Sequence, residues 1–70
     1  MDIPTYRSNN NLSQSDFAAL LVAAGYPATQ GLVSQWESGK VKITADRAKQ
    51  IHEVTSGEVS REFLLFGEAA

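Results

Sequence analysis

Five residues with short or amide side chains recur at helical spacing near the middle of the chain. Wound at about 100° per residue, the stretch from Thr29 to Lys40 puts Gln30, Gly31, Ser34, Gln35 and Ser38 on one arc and Leu32, Val33 and Trp36 on the opposite one. The first arc is polar but carries no formal charge. A glutamine amide can meet the N6/N7 edge of adenine with two hydrogen bonds, and Gly31 and Ser34 are small enough to let the backbone approach a groove wall. The chemistry this pattern fits is the reading of base edges. Solvent alone is served as well by Glu and Lys, the usual fillers of exposed helical positions, so their absence from the arc is informative.

Such a face needs a helix with defined ends. Thr29 suits the N-cap, where its hydroxyl accepts from a free N–H of the first turn, and Gly39 suits the left-handed residue that stops a helix. Lys40 then lies where a cation complements both the carbonyl end of the dipole and a passing phosphate. Lys42, in the short link Val41-Lys42-Ile43, is a second expected phosphate contact.

The neighbouring elements follow from the same signals. Ser13 and Asp16 have capping-box spacing and Leu12 and Phe17 that of a hydrophobic staple, so a helix is expected from Ser13 to about Ala24. Its buried stripe is Phe17, Leu20, Leu21 and Ala24. Gly25-Tyr26-Pro27 breaks it. Gln14 lies in the first turn of this helix, where it can either brace a phosphate or face solvent. Thr44 caps a further helix with Ala45, Ala48, Ile51 and Val54 inside, and Ser56-Gly57 ends it. A last helix starts at Ser60 and carries Phe63, Leu64, Leu65 and Phe66 before Gly67, with Val59 and Leu64 as its staple. Four consecutive large apolar residues do not easily all face one core from one helix, so this cluster is expected to serve in part as a dimer interface, the alternative being that all four wrap a small core.

The seventy residues form one expected domain, with a polar N-terminal segment at 1–11 and a folded core at 12–66. Within the first segment Pro4 can open a short helix through Arg7, and Arg7 itself either reaches a phosphate or is solvated. So small a core is marginal, which favours a second subunit. There is no cysteine, so neither a disulfide framework nor a thiolate metal site is available. No apolar run is long enough to span a membrane and no signal pattern opens the chain, so a cytoplasmic location is expected. The net charge of −2 argues against a polyanionic partner, but Lys40, Lys42, Arg47 and Lys49 cluster while the acids gather in the last third. A duplex feels the local field, over roughly 8–10 Å, rather than the total.

An enzyme is not expected. The chain holds no paired carboxylates at useful spacing, no metal-ligand cluster and no phosphate-cradling glycine loop, so no cofactor or metal is implied. His52, the only histidine, has no second imidazole or cysteine to share a metal and reads as structural.

Two helices joined by a break, the second with a short polar outer face, have the pattern of a helix-turn-helix within an all-α bundle of four to five helices. Thr29-Gln30, Val33, Ser34-Gln35 and Trp36-Glu37-Ser38-Gly39-Lys40 resemble the recognition helix of lambdoid phage repressors and Cro proteins and of the wider Xre-like regulators. Leu12-Ser13-Gln14-Ser15-Asp16-Phe17-Ala18 is similar to the start of that family's preceding helix. Arg47-Ala48-Lys49-Gln50-Ile51 and Thr55-Ser56-Gly57-Glu58-Val59-Ser60-Arg61 resemble the tail of short Cro-like and antitoxin-like members. The resemblance implies a homodimeric repressor on a double-stranded, palindromic operator. It implies that Gln14 contacts phosphate, that Thr29, Gln30, Gly31, Ser34 and Gln35 face the major groove, and that Lys40 holds phosphate beyond the helix. The stretch from Gln14 to Thr29 is longer than the family's usual spacing, and Leu32 stands where a small polar residue is common, facing either a thymine methyl or the core. The alternative expectation is an antitoxin or phage accessory module that acts on a protein partner through the Phe63–Phe66 cluster.

Overall fold

The computed structural model describes residues 1–66 and is all-α. Its five helices are α1 (Ile3–Asn9), α2 (Gln14–Ala23), α3 (Gln30–Ser38), α4 (Ala45–Val54) and α5 (Arg61–Phe66). Gly67, expected to end the last helix, lies outside the described residues. No described helix is long and apolar enough to cross a membrane.

Local chemistry fixes where each helix begins. Ser13 accepts from the Asp16 N–H while the Asp16 carboxylate accepts from the Ser13 N–H, a complete capping box. Thr29 Oγ1 accepts from Leu32 N–H, Thr44 Oγ1 from Arg47 N–H and Ser60 Oγ from Phe63 N–H. Each satisfies one of the orphan donors of a first turn. Gly39 closes α3 at φ +79°, a left-handed position a side chain would strain.

The helices meet over a core of Phe17, Leu21, Val33, Ile51 and Val59, all fully buried, with Ala48, Ala18 and Trp36 around them. α2 packs most extensively against α3, and α4 against α5 and α2. Two expectations need correction. The core does not begin at residue 12: Ile3 and Tyr6, one turn apart on α1, are buried, and Tyr6 meets Phe17 edge-to-face at 6.0 Å. The inner stripes also shift, because α2 buries Ala18 rather than Ala24, its C-cap, and Ala45 at the start of α4 is exposed. Ala24 and Ala45 stand at helix ends, where a strict i, i+3, i+4, i+7 count overruns the buried stripe.

The turn after α4 is held by a residue the pattern does not mark. Thr55, buried at the α4 C-cap, donates through Oγ1 to the Ile51 carbonyl at 2.8 Å and accepts from Val59 N–H at 3.1 Å. His52 does structural work as expected: its Nδ1 accepts from Arg61 N–H at 3.3 Å.

Candidate nucleic-acid interface

The exposed face of α3 is built from the inside outward. Val33 is fully buried and Trp36 nearly so, which anchors the helix on the core, and Leu32 packs against the same cluster rather than facing outward. Arg47 of α4 lies over the Trp36 ring at 5.1 Å, a cation–π contact worth about 0.5–1 kcal/mol at a surface site. With the inner side fixed, Thr29, Gln30, Gly31, Gln35 and Ser38 are exposed and Ser34 is half-buried beside them. Ser38 Oγ donates back to the Gln35 carbonyl, which ties that hydroxyl to its own helix.

The only charged residue of α3 is held at the edge of this face. Glu37 is held by a two-pronged pair with Arg7 of α1, Nε donating to Oε2 at 2.8 Å and Nη2 to Oε1 at 2.9 Å. Its side chain is 11 % exposed. Burial pushes the Glu37 carboxyl up, but the hydrogen bonds from Arg7 and Gln14, with the Arg7 charge, outweigh it and leave it below the ordinary glutamate value. The pair in turn holds the Arg7 guanidinium above its ordinary value. Arg7 is thus neither solvated nor a free phosphate ligand: it is half-buried and also donates to the Leu12 carbonyl, joining α1 to the start of α2.

Gln14 connects this pair to the exposed face. Its Nε2 donates to Glu37 Oε1 at 3.0 Å, and its Oε1 accepts from Gln30 Nε2 at 2.6 Å. Of the residues expected to meet DNA, Gln14 and Gln30 are therefore in direct contact, and Gln14 is half-buried rather than projecting alone. The long Gln14–Thr29 stretch leaves this contact intact because its length is shared between the ten-residue α2 and the turn that follows. α4 clasps that turn: Arg47 Nη1 donates to the Pro27 carbonyl at 2.9 Å and Tyr26 Oη to Glu53 Oε2 at 2.7 Å.

Lys40 and Lys42 are exposed just past α3, with Lys49 exposed on α4. Arg47, counted with them by sequence, instead spends its guanidinium on Trp36, Pro27 and Gln50. No protein-family model, curated protein or solved structure matches this chain. The resemblance to Cro-type regulators therefore stands on the motif residues alone.

The apolar cluster of α5 borders the side of α3 that carries Trp36 and Glu37. Phe63 and Leu64 are half-buried and, with Ile3, Trp36 and Ile43, line a cleft of about 220 Å³. Leu65 is 40 % exposed. The side chain of Phe66 lies outside the described residues.

Sequence spacing finds the caps and the α3 face. It misses Arg7–Glu37, whose partners stand far apart in the chain, and no local signal marks such a pair.

Proposed function

We propose that this chain is a sequence-specific DNA-binding repressor that lays α3 in the major groove of an operator and acts as a homodimer. The observation that carries this reading is an exposed, uncharged amide face on a helix whose one charge, at the edge of that face, is paired with Arg7. Gly31 strengthens it. Glycine in the first turn of α3 still loses more chain freedom on folding than alanine would, yet a Cβ at Gly31 would meet nothing nearer than Thr29 Oγ1 at 3.9 Å. Packing within the chain gives no reason for that cost, and close approach of a groove wall does. Gln30 and Gln35 would read base edges, with Thr29, Ser34 and Ser38 along the same wall. Lys40 and Lys42 would hold phosphate past the helix end, and the second Nε2 hydrogen of Gln14 would be available to a further phosphate. The acidic total is compatible with this, because the exposed lysines follow α3 directly.

Exposed Leu65, beside half-buried Phe63 and Leu64, supports a second copy of the chain as the partner at α5. An unrelated protein partner at that surface, as for an antitoxin or phage accessory module, is the second reading. The molecular mass of the free chain in solution separates them: a dimer favours the first, and a monomer that binds no duplex favours the second.

The deciding experiment is selection of bound sites from a random duplex library. A palindrome with half-sites about one helical turn apart is the expected product. Recovery of unenriched sequence, with binding abolished by salt alone, would reduce the contact to a nonspecific one.

A further inference from the structure

Four side chains from three helices form one continuous hydrogen-bonded line, Arg7 to Glu37 to Gln14 to Gln30. Each link has only one possible sense. A guanidinium can only donate and an ionised carboxylate can only accept, so Glu37, held ionised by Arg7, must be met by the NH₂ group of Gln14. The Gln14 carbonyl then faces Gln30, and Gln30 must answer with an N–H. The reversed Gln30 amide would bring two carbonyl oxygens together at a separation of 2.6 Å.

We infer that Glu37 is a positioning residue that fixes the orientation of the Gln30 amide, and through it the base that Gln30 accepts. This rests on the proposed reading of DNA by α3. With one Nε2 hydrogen committed to Gln14, Gln30 offers the duplex one donor and one acceptor. Adenine presents one acceptor at N7 and one donor at N6, and so matches. Guanine presents acceptors at both N7 and O6, and so leaves one of them facing the Gln30 carbonyl. Glu37 never touches the base. It acts by removing the arrangement in which both Gln30 hydrogens are free.

Two substitutions interrupt the line at different links. Glu37→Gln can present an NH₂ to Gln14, which permits the whole line to reverse and frees both hydrogens of Gln30. Gln14→Met cuts the line while leaving the Arg7–Glu37 pair in place. The experiment is selection from a random duplex library with the intact chain and with each variant and the double variant, read at the base position assigned to Gln30 by its loss in Gln30→Ala. The intact chain is expected to favour adenine over guanine there by about 5- to 150-fold, the range of one bidentate contact. Each single variant is expected to lose at least about fivefold of that preference, the double variant no more than either single one, and the position read by Gln35 is expected to keep its preference.

Retention of the adenine preference in Glu37→Gln, whether or not Gln14→Met loses it, overturns the role of Glu37 while leaving the reading of DNA intact. Absence of any enriched site with the intact chain removes the reading itself, and this role with it. If Glu37→Gln does not fold, Glu37→Asp replaces it. That variant keeps the charge opposite Arg7 but is one methylene too short for Gln14, and the same loss of preference is expected.

Discussion

The edge where α2 and α3 begin and the surface of α5 are both exposed, yet they are finished in opposite ways. At the first, polar side chains are matched inside the chain: Glu37 by Arg7, Gln14 by Glu37, Gln30 by Gln14, and both ends of α3 by Thr29 and Gly39. At the second, Leu65 stands in solvent and Phe63 and Leu64 are only half covered. An arrangement that orders its own donors and acceptors needs no partner to hold its shape, and is fit to meet a ligand already organised. Leftover apolar surface on so small a chain is a reason to associate. On the proposed reading, the first region would serve recognition and the second assembly.

Truncation should break the two regions unequally. Trp36→Ala is expected to cost about 3–5 kcal/mol in denaturant unfolding, because it empties the root of α3 and removes the platform under Arg47. Leu65→Ser should stay within about 0.5 kcal/mol for the monomer while weakening self-association in sedimentation. A comparable stability loss from both would erase the distinction.

Within the first region, Gln30→Ala and Gln35→Ala should each cost about 1–3 kcal/mol of binding at one operator position, whereas Lys40→Ala should weaken binding to all sequences and lower the salt slope by about one. Equal losses on cognate and random duplex would place base reading elsewhere. Gly31→Ala should act with opposite sign on two measurements, raising the unfolding free energy by about 0.5–1 kcal/mol and weakening operator binding. The smallest effect is expected from acid. Glu37 binds its proton less readily folded than unfolded, so its contribution to stability is whole above its ordinary value of 4.5 and is lost as pH falls below it. The thermal midpoint of Glu37→Gln should therefore fall less steeply with acid than that of the intact chain.

Much of the fold was legible in the sequence because helix boundaries are written locally. Ser13 with Asp16, Thr29, Thr44, Ser60 and Gly39 each act within a few residues of themselves, and all serve as the spacing implies. The uncharged face of α3 was legible for the same reason. What escaped were the long-range polar ties. Arg7 looks like a stray terminal cation until α1 is folded against α3, and Arg47 looks like part of a basic patch until it is seen over Trp36. Buried Ile3 and Tyr6 were masked by the polar residues around them, since two apolar side chains one turn apart are too few to establish a period.

The most direct measurement is a titration of the chain with a duplex from the selected pool, followed through the side-chain amide resonances of Gln30 and Gln35 and the backbone resonance of Ser34. Recognition by α3 requires all three to shift in proportion to bound duplex, with those of α5 still. Shifts confined to other surfaces, with these three unmoved at saturation, would contradict it.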